Sequence, residues 1–349
     1  MHESLYYDKK EQNLTACRLC PKLCTIREGK SGFCRVRQNR DGTLYATNYG
    51  KVTSYGLDPI EKKPMYHFYP GAFILSLGTV GCNLRCGFCQ NWSIAHGDPP
   101  TTALTPDQVV EIARMQAEHG YPNIGIAYTY SEPLMWYEFV LDTACLAKKA
   151  GLKNVLVTNG YINETPLRKI LPYIDAMNID VKAFSESYYH KNCVGRLEPV
   201  VRTVEIAHQE CHVELTTLLV TGLNDSPWEI GQLVDWVASL DREIPLHFSR
   251  YFPNFEMNLR ATPLATLEQA AGIAREKLSY VYIGNAPELD DQDTYCPECR
   301  KKVISRTGYN IRVTGLDGKK CRNCGEVIRI TGNITDKNDL IASSFQKLV

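Results

Sequence analysis

Seven short apolar runs recur through the middle of the chain, and longer stretches with a polar face separate them. The runs are AFILSLG (72–78), NIGIAYTY (123–130), KNVLVTNG (153–160), AMNIDVKA (176–183), HVELTTLLV (212–220), IPLHFSRYF (244–252) and YVYIGN (280–285). Apolar runs of this length, with few charges, are typical of strands that are buried on both faces of a sheet. The pattern therefore predicts seven buried strands.

The stretches between those runs follow the 3.6-residue period of amphipathic helices. In TPDQVVEIARMQAEHG (105–120), Thr105 is a capping residue, Pro106 suits the first turn, and Gly120 ends the period. Further helices are predicted at 133–150, 165–171, 197–209, 227–240 and 266–279. Alternating strands and helices predict an α/β fold with a parallel sheet, which we interpret as an incomplete (β/α) TIM-type barrel with its chemistry at the carboxyl ends of the strands.

The barrel is predicted to occupy residues 71–286, between two smaller segments. Residues 1–70 form a Cys-rich segment with a β-rich connector, and residues 287–349 form an acidic linker followed by a small module. The 39 Lys and Arg balance the 39 Asp and Glu, so the net charge favours no acidic partner. MHESLYYDKKEQN has no apolar core of a signal peptide, and we expect a cytoplasmic protein without membrane contact.

Fourteen cysteines in such a chain indicate metal sites rather than disulfides. Eleven of them fall in three groups, while Cys145, Cys193 and Cys211 stand alone and are interpreted as buried apolar fillers. The middle group consists of Cys82, Cys86 and Cys89. Three thiolates would leave one iron of a cluster open for another ligand, whereas a zinc knuckle or three unrelated thiols are the alternatives.

The other two groups have four cysteines each and are interpreted as closed, structural metal sites. The N-terminal quartet, at x2, x3 and x9 spacing, suits zinc or a second iron–sulfur cluster. The C-terminal quartet has two C-x2-C pairs separated by twenty-one residues, which favours a zinc-ribbon-like module over rubredoxin-like iron or an auxiliary cluster. The quartets are Cys17, Cys20, Cys24 and Cys34, and Cys296, Cys299, Cys321 and Cys324.

The string CNLRCGFC (82–89), with Phe88 before its last cysteine, resembles the cluster loop of the radical S-adenosylmethionine (SAM) superfamily. The resemblance implies that Cys82, Cys86 and Cys89 hold a [4Fe–4S] cluster whose fourth iron binds SAM. One electron then cleaves SAM to methionine and a 5′-deoxyadenosyl radical that abstracts hydrogen. It also implies a one-electron donor such as flavodoxin or ferredoxin.

The remainder of the chain resembles one group within that superfamily. The N-terminal quartet and PIEKKPMYHFYPG (59–71) are similar to relatives of the activating enzymes of glycyl-radical enzymes. With the tail from VYIGN to TYCPEC (281–299), the whole chain resembles the radical SAM enzyme of the AmmeMemoRadiSam system. The resemblance implies proteins of the AMMECR and MEMO types as candidate partners.

Polar residues that follow the predicted strands are the candidate SAM contacts. Glu132 in TYSEP stands where the family carries a GGE-type motif, and Asp180 and Lys182 match an Asp-x-Lys of the activating enzymes. Asn159 and His247 are further candidates. The alternatives are a helix-start acid for Glu132, a strand-ending turn for Asn159 and a core histidine for His247.

These features predict a radical SAM enzyme that acts on a protein substrate. RNA modification is the alternative, since residues 295–349 hold eleven Lys or Arg and five Asp or Glu, a net charge of +6. A metal-binding scaffold without catalysis is the third hypothesis.

Overall fold

A sheet of eight strands dominates the computed structural model, which describes residues 1–118, 123–289 and 291–336. Seven strands lie parallel in chain order, as predicted, and the first pairs antiparallel with the second. The sheet ends at its first and last strands, so the barrel is incomplete. The strands are β1 Ser54–Pro59, β2 Phe73–Gly78, β3 Asn123–Tyr128, β4 Lys153–Thr158, β5 Ala176–Asp180, β6 His212–Leu219, β7 Leu246–Arg250 and β8 Val281–Gly284.

Six longer helices cover the sheet, and their bounds agree closely with the predicted ones. They are α1 Pro106–Glu118, α2 Tyr137–Lys149, α3 Glu164–Ile170, α4 Glu198–Glu210, α5 Pro227–Leu240 and α6 Leu264–Arg275. The prediction of one helix from residue 133 is wrong in detail, because a 3₁₀ turn, Pro133–Trp136, precedes α2. Residues 119 and 120 of the first predicted helix lie outside the described residues.

The connector contributes more to the barrel than the sequence pattern indicates. It supplies β1, which covers the edge of β2. It also inserts Ile60, Met65 and Phe68 against residues near the beginnings of the parallel strands, including Val155. The connector therefore closes the amino-terminal end of the barrel with an apolar plug.

The N-terminal segment packs on the barrel through a shared apolar core that includes Leu19 and Val36. A buried ion pair fastens it to α2: Arg37 Nη1 lies 2.7 Å from Glu138 Oε1, and both side chains are 2% exposed. Its short strands are His2–Glu3, Tyr7–Lys9, Thr15–Cys17, Thr25–Ile26, Arg37–Arg40 and Thr43–Ala46. Breaking a buried pair of this kind on one side costs about 3–5 kcal/mol.

The C-terminal module packs against the amino-terminal end of the barrel. Its core includes Tyr66 of the connector, Tyr282 of β8 and Tyr280 just before that strand. His67 lies between the two, with Nδ1 2.8 Å from the carbonyl oxygen of Arg329 and Nε2 2.6 Å from the Tyr282 hydroxyl. The module's strands are Thr294–Tyr295, Lys302–Thr307, Asn310–Val313, Leu316–Asp317 and Lys320–Cys321.

The module's last predicted residues, 337–349, lie outside the described part of the chain. Among the helices that the structure describes, none has the length and apolar character needed to cross a membrane.

Candidate active site

A cleft of about 470 Å³ opens at the carboxyl ends of the parallel strands, as expected for a parallel barrel. Its size is within the range of about 300–1,000 Å³ that is usual for cofactor sites. Lys62, Lys63 and Pro64 of the connector line one side. The predicted site residues that line the cleft are Cys82, Cys86, Phe88, Cys89, Glu132, Asn159, Asp180 and Lys182.

The cluster loop after β2 is held in place from two sides. The backbone N–H of Arg85 donates to the carbonyl of Cys193 at 2.9 Å, which ties the loop to the turn Tyr189–Cys193. On the other side Gly81 has φ +100°, and a Cβ there would lie 2.7 Å from a methyl group of Val36. Glycine is therefore required at this close approach between the loop and the N-terminal segment.

The thiols of the loop suit a cluster better than a single metal ion. Cys82, Cys86 and Cys89 line the same cleft, but their sulfur atoms do not all come within 4.8 Å of one another. A zinc ion about 2.3 Å from each sulfur would bring the sulfur atoms closer together than this. In an iron–sulfur cluster each thiolate binds a different iron, so the wider arrangement fits, and three thiols leave one iron free.

The sequence predicts Cys193 to be a buried apolar filler. The structure buries it completely and places its thiol beside that of Cys86, although it does not line the cleft. The sequence spacing between Cys193 and the cluster loop does not predict this contact, because it forms only when the turn after β5 folds back onto the loop.

Glu132 combines a role at a helix start with a position in the cleft. Its carboxylate accepts hydrogen bonds from Thr158 Oγ1 at 2.6 Å, from the N–H of Asn159 at 2.8 Å and from the N–H of Leu134 at 3.0 Å. Burial raises the pKa of Glu132 to about 7, although these three donors oppose the rise. The carboxyl group therefore changes its charge near neutral pH.

Tyr130, two residues before Glu132, stands in the segment where the family motif has glycines. It adopts φ +69°, a left-handed conformation that costs about 1–2 kcal/mol for a residue with a side chain. Its hydroxyl donates to Asp58 Oδ2 at 2.7 Å, and Lys63 Nζ lies 4.7 Å from the centre of its ring. These contacts hold the strained residue in position.

Asp58 ties the connector to this side of the cleft, although no pattern in the sequence identifies it as a site residue. Its carboxylate pairs with Lys62 Nζ at 2.8 Å and with Lys63 Nζ at 2.7 Å. Lys63 is 2% exposed, whereas Lys62 is 42% exposed. The available signal is DPIEKKP (58–64), in which Asp58 precedes two lysines at the start of the segment that resembles the relatives of the activating enzymes.

Asp180 and Lys182 form an ion pair at the end of β5, with Nζ and Oδ2 2.7 Å apart. Burial alone would lower the pKa of Lys182, but the neighbouring Asp180 carboxylate outweighs it and raises that pKa. Asn159, at the end of β4, donates from Nδ2 to Asn83 Oδ1 at 3.0 Å and lies 3.6 Å from Cys82 Sγ. The cleft thus has acidic, basic and amide groups beside the thiols.

His247 lies elsewhere, which corrects its assignment as a SAM or substrate contact. Its Nε2 is 2.7 Å from Glu214 Oε2, and its ring contacts Tyr66 and Tyr282 near the C-terminal module. The reason is its place near the start of β7, because the residue of this strand that lines the cleft is Ser249, nearer its carboxyl end. It occupies a buried polar network, as the core-histidine alternative expected.

The two quartets differ in the spacing of their sulfur atoms. In the C-terminal quartet all four lie within 4.8 Å of one another, with Cys296 and Cys324 Sγ 3.5 Å apart and Cys299 and Cys321 Sγ 3.6 Å apart. This arrangement fits one tetrahedral metal ion. The N-terminal cysteines Cys17, Cys20, Cys24 and Cys34 share one pocket at a wider spacing.

Comparison with known proteins agrees with this geometry. Residues 76–237 match the model of the Radical SAM superfamily. An uncharacterized protein of Methanocaldococcus jannaschii is 44% identical over 339 residues, which cover 95% of this chain and 99% of that protein. The pyruvate formate-lyase-activating enzyme of Clostridium pasteurianum is 27% identical over 168 residues, 46% of this chain and 67% of the relative.

A solved structure, a domain of a pyruvate-formate lyase-activating enzyme from Bacteroides vulgatus, has 18% sequence identity and a TM-score of 0.41. It covers 46% of this chain and 99% of that chain. From the family match and the activating-enzyme relatives, the chain belongs to the radical SAM superfamily and is an enzyme related to the pyruvate formate-lyase-activating enzymes. Members of this superfamily use a [4Fe–4S] cluster and SAM.

Proposed function

We propose that this enzyme abstracts a hydrogen atom from a partner protein, in the manner of an activating enzyme. The observation that carries the proposal is the cleft, in which Cys82, Cys86 and Cys89 face Glu132 and the Asp180–Lys182 pair. The bound cluster and SAM would supply the 5′-deoxyadenosyl radical, while the chain supplies placement and shelter from water.

The residues of the cleft divide into groups that suit the different parts of SAM. Glu132, once ionised, offers a carboxylate to the amino group, and the ammonium of Lys182 can pair with the SAM carboxylate. Asp180, which is 31% exposed, is free on its outer side to accept hydrogen bonds from hydroxyl groups. Asn159 orients the loop by its contact with Cys82 Sγ.

A protein substrate is supported by the relatives that are pyruvate formate-lyase-activating enzymes. Proteins of the AMMECR and MEMO types are the candidate partners by resemblance, and a flavodoxin or ferredoxin is the candidate electron donor. Lys62, on the connector side of the cleft, is exposed enough to meet an acidic segment of such a partner.

RNA modification receives less support from the position of the basic module. The module packs at the amino-terminal end of the barrel, whereas the cleft lies at the carboxyl end. Part of its positive charge is used internally: Arg306 is 2% exposed, and Arg329 pairs with Asp241. RNA held by this module would therefore lie far from the thiols.

The test is an anaerobic assay of 5′-deoxyadenosine with reductant and SAM, with and without each candidate partner protein. We expect slow release alone and faster release, with hydrogen transferred from the partner, when the substrate is present. Cys86→Ala is the inactive control and Cys145→Ala the matched active one. An iron-loaded, reducible enzyme that never cleaves SAM would favour the scaffold hypothesis. Faster 5′-deoxyadenosine release with RNA alone would favour RNA modification.

A further inference from the structure

The N-terminal quartet is a cysteine site for which the proposed reaction gives no role. Cys17 ends a strand, Cys20 and Cys24 stand in the next loop, and Cys34 precedes the strand Arg37–Arg40. The four thiols line one pocket, which apolar side chains enclose: Leu19, Leu23, Ile26, Phe33 and Met135. Cys17, Cys20 and Cys34 are each 7% exposed, so three of the four cysteines are largely shielded from water.

Sulfur spacing separates the three cysteine sites into two kinds. Within residues 1–118, 123–289 and 291–336, only the C-terminal quartet gathers its sulfur atoms within 4.8 Å of one another. The zinc geometry, with metal–sulfur distances of about 2.3 Å, gives sulfur–sulfur distances of about 3.8 Å, which this quartet nearly has. The N-terminal quartet is wider, like the cleft triad, whose superfamily uses a [4Fe–4S] cluster.

Arg37 places a positive charge beside the wider quartet. Its side chain is 2% exposed and lines the pocket, and its Nη1 is committed to Glu138. Its Nε–H has no hydrogen-bond partner within the described part of the chain. Buried N–H groups rarely lack an acceptor, and an anionic group ligated by thiolates in this pocket would provide one.

A short chain of side chains links this quartet to the cleft. The Asn83 side chain lies beside the Cys20 thiol, and Asn83 directly follows Cys82 in the sequence. Asn159 Nδ2 donates to Asn83 Oδ1 at 3.0 Å and lies 3.6 Å from Cys82 Sγ. A thiol of one site is therefore joined to a thiol of the other through one asparagine and its backbone.

We propose that Cys17, Cys20, Cys24 and Cys34 hold an auxiliary [4Fe–4S] cluster that passes single electrons to the cleft through Asn83. Four thiolates occupy all four irons, so this site has no open iron for SAM. In each transfer the cluster at the quartet loses one electron and the cluster at the triad gains one. A reduced carrier protein of the flavodoxin or ferredoxin class then returns one electron to the quartet. The electron path rests on the proposed function, but the metal content of the quartet does not.

The first experiment measures iron, sulfide and zinc in the anaerobically isolated full chain. We expect about eight irons and about one zinc per chain. About four irons and two zincs would overturn the proposal, since the quartet would then hold zinc. This measurement uses the unaltered protein, so it does not depend on whether a variant folds.

Variants assign the irons to their sites. Cys24→Ala, at the least buried ligand of the quartet, should lose about four irons and keep the zinc, and Cys145→Ala, a lone and partly buried cysteine, should lose none. Cys86→Ala should also keep about four irons, those of the quartet, and this result would stand even if the enzyme cleaved no SAM. Cys24→Ala with all eight irons would refute the assignment.

The electron path is tested by electron paramagnetic resonance of the reduced protein. Two reduced clusters linked through Asn83 should give a spectrum broadened by spin coupling. In Cys24→Ala the spectrum should become that of a single, uncoupled cluster. In that variant a reduced flavodoxin should reduce the cleft cluster at least tenfold more slowly, while a small chemical reductant reduces it as fast as before. If the reduced flavodoxin reduces the cleft cluster equally fast in Cys24→Ala and in the wild type, the electron relay is refuted. The quartet would then hold a cluster that takes no part in electron transfer.

Discussion

Replacing Asp58 by asparagine tests whether the buried Lys63 depends on that carboxylate. The substitution keeps the shape but leaves the Lys63 ammonium, 2% exposed, beside a neutral amide. Removing one partner of a buried ion pair costs about 3–5 kcal/mol, because the remaining charge is left without compensation. We therefore expect Asp58→Asn to lower the free energy of unfolding by about that amount.

The chain offers a matched control on the same carboxylate. Lys62 also pairs with Asp58 but is 42% exposed, so Lys62→Met should cost no more than about 1 kcal/mol. The double variant Asp58→Asn with Lys63→Met removes the stranded charge and should recover most of the loss. The assay is urea unfolding of the metal-loaded protein under anaerobic conditions, followed by tryptophan fluorescence.

The pH dependence gives an independent check with a definite sign. Burial alone would raise the pKa of Asp58, but hydrogen bonds from Lys62, Lys63 and Tyr130 outweigh it and lower that pKa well below 3.8. The stabilisation is therefore present above about pH 4 and is lost as the pH falls below it, so the wild type should lose stability in acid more steeply than Asp58→Asn. The dependence of Lys63 on Asp58 is refuted if Asp58→Asn lowers the free energy of unfolding no more than Lys62→Met does. It is also refuted if the double variant is less stable than Asp58→Asn.

Three further predictions concern the cleft and the metal sites. Cys86→Ala should abolish 5′-deoxyadenosine formation while zinc analysis still finds the metal of the C-terminal quartet; retained cleavage would contradict the role of the loop. SAM affinity, measured by calorimetry from pH 6 to 8, should rise about tenfold in the wild type as Glu132 ionises around its pKa of about 7, and should rise less in Glu132→Gln. If SAM affinity rises equally with pH in both proteins, a group other than Glu132 titrates. Cys299→Ala should release the C-terminal metal and lower the thermal midpoint but spare the visible absorption of the cluster; loss of that absorption would show that the sites are interdependent.

Strand positions could be predicted from the sequence because buried parallel strands are short, apolar and regularly spaced. The cluster loop and the ends of β3, β4 and β5 were predictable for a second reason: parallel strands bring their carboxyl ends to one edge. Glu132, Asn159, Asp180 and Lys182 therefore meet in the cleft even though they are far apart in the sequence.

The residues that were missed depend on contacts that no local pattern encodes. Lys63 reaches the cleft and pairs with Asp58 because the connector adds an antiparallel strand, and polar residues of such a segment look like those of any surface hairpin. His247 was misplaced because the predicted run extends over residues 244–252, whereas β7 begins at Leu246 and ends at Arg250, so His247 lies near the amino-terminal end of the strand. Cys193 contacts Cys86 through a turn whose path is set only by tertiary packing.

The contact between His67 and the C-terminal module also constrains how the protein is made. The ring of His67 meets a carbonyl oxygen 262 positions later in the chain, so a ribosome adding about 5–20 residues per second needs about 10–50 s to supply it. Throughout that interval Tyr66 and its neighbours, which are buried in the finished fold, remain open to water and to chaperones. The amino-terminal end of the barrel is therefore completed only after Arg329 has been synthesised, and a nascent chain that stalls before that residue displays an exposed aromatic surface.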